Sequence, residues 1–236
     1  GEREMTNFSR FFRGVYIRFC QIDWERYQWR NLDKTKLLVP LRFFAHPIDL
    51  FNDIKYEKRG SLGVANLLLA LYFLEEIINY FAVAYLFSNN EAQSFSVWPI
   101  LLRTVVLVLL WCITNWAMST LQDGKGTFKE IYLATCYALT PLVLFSVPLN
   151  LITNMMTLSE SMFYSAISSA LTLWSLILVF LGTMVVHQFT VRKTIGSVLL
   201  SLGMIVIIAF LVLLGFSISQ QMTTFVETII TELLRR

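Results

Sequence analysis

The sequence has few of the residues that build metal sites and disulfides. Two histidines and three cysteines occur among its 236 residues. His46 and His187 are too far apart in sequence for an HExxH-like pair, and Cys20, Cys112 and Cys136 form no CxxC pair. We therefore expect no metal, no cofactor and no disulfide framework, and we expect Cys112 and Cys136 to be small buried thiols.

The usual signatures of catalysis and nucleotide binding are missing as well. The many serines have no base at a spacing that suits nucleophilic catalysis. Residues 123–126 read DGKG, which departs from the phosphate-loop pattern GxxxxGK[ST]. The basic excess is modest and lies beside apolar sequence, which argues against a nucleic-acid surface. We predict that the protein is not an enzyme and binds no nucleic acid.

Charge is scarce and unevenly distributed. Charged residues make up 15% of the chain and hydrophobic residues 56%, whereas a soluble domain has about 25% charged residues. The formal net charge is +3, and residues 1–60 hold 12 of the 19 Lys and Arg. No apolar run precedes Gly60, so we expect no cleavable signal peptide and a first span that directs its own insertion. The pattern indicates a basic N-terminal segment, residues 1–60, which we call the head, followed by an apolar membrane region.

Five apolar runs follow the head, each long enough to cross a hydrocarbon core of about 30 Å. They lack the period of two that membrane strands require. The runs are residues 61–87, 97–120, 127–153, 163–186 and 194–219. We predict an all-α polytopic membrane protein with five transmembrane helices and an amphipathic helix at each end. Its units would be a head at 1–60, a membrane domain at 61–219 and a C-terminal helix at 220–236.

The two predicted amphipathic helices each place apolar side chains on one face. The N-terminal helix has arginines on its other face, and the C-terminal helix has Glu227 and Glu232 elsewhere on its wheel. Such helices rest on lipid or on a partner protein, and we expect both lipids and a membrane-protein partner. The candidate contact residues are Phe11, Phe12 and Phe19 in the first helix and Phe225, Ile229 and Leu233 in the second.

Alternate turns carry the basic residues, which predicts an orientation. The basic turns contain Lys58, Arg59, Lys125, Lys129, Arg192 and Lys193, whereas residues 88–96 and 154–162 contain no Lys or Arg. By the positive-inside rule the N-terminus is cytoplasmic and the C-terminus lies outside.

Four polar residues inside the first two runs are candidates for a functional cluster: Glu75, Glu76, Asn79 and Arg103. Ionisable side chains in a span are costly and usually have a partner. An ion pair between Glu76 and Arg103, a proton or solute pathway, and a local lipid or partner contact all remain open. Small residues in the last two runs, such as Ser165, Ser169 and Gly203, favour close helix packing or else line a groove.

Residues 123–141, DGKGTFKEIYLATCYALTP, form a polar turn and the start of the third run. Glycines at 124 and 126 suit a turn because glycine tolerates unusual backbone angles. Thr127 and Glu130 have the spacing of a capping box, and Pro141 should kink the helix that follows. The turn motif, Asp123, Gly124, Lys125, Gly126, Glu130 and Pro141, fits either a chain reversal at the membrane surface or a recognition loop.

This turn, together with HPIDLFNDIKYEKRGS at residues 46–61, resembles the bacterial branch of the Yip family. Members of that family have five spans, and the eukaryotic ones are named for binding Ypt/Rab GTPases. The resemblance covers residues 45–220, and Tyr137-Ala138-Leu139-Thr140 stands where eukaryotic members carry a YGYS-type motif.

The resemblance implies a non-catalytic accessory or scaffold protein of the bacterial cytoplasmic membrane. Bacterial members are often encoded beside carbohydrate-uptake ABC transporters, so a transporter permease is the expected partner. The alternative is a small transporter, channel or lipid scramblase that uses Glu75, Glu76 and Arg103. A wet cavity that reaches Glu76 would favour the alternative, and a dry bundle with apolar helices turned outward would favour the scaffold.

Overall fold

The computed structural model describes residues 46–57, 60–82 and 96–234, and these residues form helices and turns without strands. The predicted contact residues Phe11, Phe12 and Phe19 lie outside the described residues. The helices are α1 (Pro47–Lys55), α2 (Leu62–Ala82), α3 (Val97–Leu121), α4 (Phe128–Ala138), α5 (Thr140–Ile152), α6 (Ser161–His187) and α7 (Val191–Leu234). Two 3-10 turns, Thr153–Met155 and Leu158–Glu160, connect α5 to α6.

Five segments of the described chain are long and apolar enough to cross a membrane, which confirms the predicted fold class. They are Leu62–Phe81, Val97–Leu121, Phe128–Met155, Ser161–His187 and Val191–Glu232. The protein is therefore a multi-pass membrane protein.

The third span begins and bends for reasons that the local sequence contains. The predicted capping box is confirmed: Glu130 N donates to Thr127 Oγ1 at 3.4 Å, and Thr127 N donates to Glu130 Oε2 at 3.0 Å. The span divides into α4 and α5 at Leu139, two residues before Pro141. Pro141 has no N–H for the carbonyl of Tyr137, and the Thr140 hydroxyl donates to that carbonyl instead, at 2.6 Å.

Helix α4 lies at the centre of the bundle and packs against α1, α2, α3 and α6. Tyr137 is fully buried, and its hydroxyl accepts a hydrogen bond from Ser61 N, at the start of α2, at 3.2 Å. Leu50 and Phe51 of α1 are also fully buried. The predicted head therefore contributes its last helix to the core of the membrane domain.

Helix α7 is much longer than one membrane crossing. Its 44 residues span about 66 Å at 1.5 Å per residue. Thr194, Ser197 and Ser201 are fully buried in the part that packs against α3 and α6, whereas most large apolar residues beyond Gly203 are exposed. The separate C-terminal helix expected from Gln220 is instead the continuation of α7, because the change to polar composition there introduces no helix-breaking residue.

Small residues contribute less to helix packing than the sequence suggested. In α6, Ser165 and Ser169 are exposed and Ser175 is buried. A side chain added at Gly196 or Gly203 in α7 would meet open space. Packing of α7 therefore depends on its buried hydroxyl residues and not on its glycines.

The orientation of the bundle stays a prediction, and accessible cysteines test it. Thr157 and Lys125 are exposed in turns at opposite ends of the bundle, whereas Cys112 and Cys136 are fully buried. With Cys20 replaced by serine, Thr157→Cys should react with an impermeant thiol reagent on intact cells. Lys125→Cys should react only after permeabilisation, and labelling of Lys125→Cys in intact cells would reverse the orientation.

Candidate functional site

Helix α1 and two turns meet at one end of the bundle, which we call the turn face. The turns are residues 123–127, between α3 and α4, and residues 188–190, between α6 and α7. Lys125 N lies 3.5 Å from His187 O, so the two turns are in contact. Gln188 Nε2 donates to Tyr56 Oη at 2.8 Å and ties the second turn to the end of α1.

A partly buried ion pair attaches α1 to the first turn. Lys55 Nζ donates to Glu130 Oε2 at 2.7 Å and to Lys125 O at 3.0 Å. The side chains of Lys55 and Glu130 are only 10% and 19% exposed. Glu130 thus caps α4 through Thr127 N and holds α1 with the same carboxylate. The turn motif at 123–141 and residues 46–57 therefore form one packed unit.

The two glycines of the turn are required for space and not for backbone angle. Among the described glycines none has a positive φ, and the residue of this turn in the left-handed region is Asp123, with φ 57°. The expectation that glycine supplies the unusual angle was wrong. A Cβ on Gly126 would lie 2.7 Å from the His187 ring, and one on Gly124 would lie 2.9 Å from His187 Nδ1. The backbone of the turn rests directly on the imidazole.

His187 belongs to a buried polar chain that links α3 and α6. Its Nε2 lies 3.2 Å from Asn115 Oδ1, and because an amide oxygen only accepts hydrogen bonds, Nε2 is the protonated nitrogen. Asn115 Nδ2 donates to Thr183 Oγ1 at 3.1 Å, and Thr183 donates to Val179 O at 2.9 Å. A cavity of ≈ 10 Å³ adjoins these side chains, which is room for about one water.

This polar chain is not predictable from local sequence patterns. Asn115 and Thr183 are 68 residues apart, and Asn115 and His187 are 72 residues apart. None of the three residues belongs to a motif. Asn115 and Thr183 are uncharged polar residues inside the predicted apolar runs, and His187 directly follows the fourth run.

The intramembrane cluster lies toward the other end of the bundle. Arg103 on α3 forms an ion pair with Glu76 on α2, and Tyr72 Oη donates to Glu76 Oε1 at 3.1 Å. Glu75 is 5% exposed and lies beside the side chain of Ser146 on α5. The predicted ion pair is confirmed, and a functional role for the cluster stays a prediction.

The remaining predicted residues are distributed along the bundle. Asn79 follows Glu75 by about one turn of α2 and is half-buried. Pro141 lies in the first turn of α5. Phe225 and Ile229 on α7 are 63% and 42% exposed, and Leu233 lies one turn beyond Ile229 in the same helix.

Comparison with protein-family models matches residues 41–214 to the Yip1 domain. The chain belongs to the Yip1 domain family. No curated protein and no solved structure matches it. The Yip1 domain includes the turn face, the polar chain and the intramembrane cluster. The part of α7 that carries Phe225 and Ile229 lies beyond the matched residues.

Two carboxylates of the Yip1 domain lie side by side on α2 but have different surroundings. Glu76 faces Arg103. The side chain of Glu76 is 17% exposed, and that of Arg103 is 59% exposed. Glu75 points into the bundle. The cavity beside Asn115 does not reach this cluster. Asn115 lies about 9 Å from the turn-face end of α3, whereas Glu76 lies about 21 Å from the turn-face end of α2.

A double-mutant cycle tests the strength of the ion pair in the Yip1 domain. Glu76→Gln should lower the free energy of unfolding, because it leaves Arg103 without its carboxylate inside the span. Arg103→Gln in the same chain should restore part of the loss, with a coupling of about 0.5–3 kcal/mol. Unfolding in mixed micelles measures both effects. Losses that simply add would show that the two side chains do not stabilise each other.

Proposed function

We propose that the protein is a non-catalytic accessory subunit of the bacterial cytoplasmic membrane that binds a second membrane protein through α7. The observation that carries the proposal is the length and exposure of this helix. At about 66 Å it exceeds the 40–45 Å of a bilayer with its headgroups by about 20 Å. The last turns therefore emerge from the membrane with apolar residues uncovered.

The emerging part of α7 has two different faces. Met222, Phe225 and Ile229 recur at helical spacing and are 61%, 63% and 42% exposed. Thr224 and Thr231 lie on the other side of the helix. Glu227 adds acidic charge, which is a poor match to anionic lipid. A protein groove that accepts an amphipathic helix suits this surface better.

The permease of a carbohydrate-uptake ABC transporter is the proposed partner. Support comes from the resemblance to bacterial Yip-like proteins, together with the position of the exposed helix at the membrane boundary.

Mutation of the exposed face tests the proposal. Phe225→Asp with Ile229→Asp should leave the bundle folded and should release a permease that co-purifies with the wild type in mild detergent. Thr224→Asp with Thr231→Asp adds the same charge to the polar face and should retain the permease. Loss of the permease from both variants, or from neither, would remove the support for α7 as the binding surface.

Transport is the second candidate function, as a small transporter, channel or lipid scramblase. One observation favours it, namely that Glu75 is buried inside the first span beside Ser146 of α5. Buried ionisable groups often mark pathways for protons or solutes. Purified protein in vesicles would then move a solute or lipid, and Glu75→Gln would abolish that movement.

A further inference from the structure

We propose that the turn face is a binding surface for an acidic phospholipid. Four exposed cations lie on its two turns or in the first turns of the helices that follow them: Lys125, Lys129, Arg192 and Lys193. Within the same segments the exposed carboxylate is that of Asp123. Asp49 of α1 and Glu57 just after it are exposed as well, so the positive excess belongs to the two turns and not to the whole turn face. The two turns lie at the level of the bilayer where phosphate groups lie.

Direct contacts bring the cations of the two turns onto one surface. Lys193 Nζ lies 4.5 Å from the centre of the Phe189 ring. That ring stacks on His187 and reaches the backbone of Gly124, where an added Cβ would be 3.0 Å from Phe189 Cζ. Lys125 follows directly and meets the second turn through its N–H. The aromatic ring thus connects the basic start of α7 to the basic turn before α4.

The nearby carboxylate of Glu130 is committed to other partners. It accepts from Lys55 Nζ at 2.7 Å and from Thr127 N at 3.0 Å. These contacts hold it beneath α1, with 19% of its side chain exposed. Glu130 is therefore not a partner of the exposed cations on the two turns.

An apolar stripe begins beside Arg192 and continues along α7. Val191, Ile195, Leu199 and Leu202 are 57%, 48%, 63% and 47% exposed and recur every three or four residues. A phospholipid fits both features at once, with its phosphate at Arg192, which adjoins the stripe on the helical wheel, and its acyl chains along the stripe. Lys193 lies on the other side of α7, beside Phe189, and adds positive charge to the same turn. Guanidinium groups bind phosphate through paired hydrogen bonds. A free phosphate would use the cations alone, so the stripe indicates the lipid.

Native mass spectrometry of the full chain in neutral detergent tests this inference. Phosphatidylglycerol should be retained in preference to phosphatidylcholine. In a separate thermal unfolding experiment, phosphatidylglycerol should raise the midpoint temperature of the protein. Arg192→Gln with Lys193→Gln should weaken retention of phosphatidylglycerol about 10–30-fold, given the usual contribution of each basic residue near an anionic surface. Arg192→Lys with Lys193→Arg keeps both charges and should retain most of the binding.

Three results would overturn the inference. They are equal retention of the two lipids, unchanged retention in the neutralised variant, and the same thermal stabilisation by inorganic phosphate alone. Circular dichroism checks that the variant is folded. If it is not, Lys125→Gln with Lys129→Gln removes two cations from the other turn, and it must show the same selective loss of phosphatidylglycerol.

Discussion

Glu130→Gln is expected to detach α1 from the turn face and to produce the largest loss of stability among these variants. Lys55 is 10% exposed and donates to Glu130 at 2.7 Å, so the variant leaves a largely buried ammonium without its carboxylate. Breaking a buried ion pair costs about 3–5 kcal/mol. Glutamine is able to accept from Thr127 N, so most of the loss should reflect the lost charge and not the cap.

Two measurements separate the docking of α1 from general unfolding. Hydrogen exchange should accelerate in α1 before it does so in α3, and unfolding in mixed micelles gives the total loss of free energy. Adding Lys55→Met to Glu130→Gln should restore much of the stability, because no unpaired charge then remains. A change of less than about 0.5 kcal/mol in Glu130→Gln, the range of ordinary surface substitutions, would contradict the prediction.

The Lys55–Glu130 pair shows which part of the site the sequence could reveal. The Thr127–Glu130 cap joins residues three apart, so their spacing alone predicts it. Lys55 is 75 residues from Glu130, and many other lysines were equally plausible partners for that carboxylate. The contact depends on the packing of Phe51 against Gly182, which fixes α1 on α6.

The intramembrane cluster and the buried polar chain also differ in how far the sequence predicts their contacts. Arg103 was predictable as the partner of Glu76, because charged residues in spans are few and each requires compensation. Asn115, Thr183 and His187 belong to a much larger set of polar residues in the apolar runs. Their hydrogen bonds depend on how α3 and α6 face each other, which no local pattern specifies.

Helix α7 shows that composition and helix boundaries are separate properties. The apolar run ends at Ser219, and hydropathy predicts that the membrane crossing ends there. The helix nevertheless continues to Leu234, because residues 216–234 contain no proline or glycine to stop it. Hydropathy predicted five spans well because span length is set by the bilayer.

Gly126→Ala is expected to destabilise the protein by about 1–3 kcal/mol, the usual cost of overpacking a filled core. The added Cβ would lie 2.7 Å from the His187 ring and from Val186 Cγ1, and both residues are buried. The backbone at Gly126 has no positive φ, so strain of the main chain does not contribute. Gly203→Ala is the matched control, since its Cβ meets open space and alanine favours a helix. The thermal midpoint in detergent should therefore fall for Gly126→Ala and stay equal or rise for Gly203→Ala. Equal midpoints for both variants would show that the turn does not rest on His187.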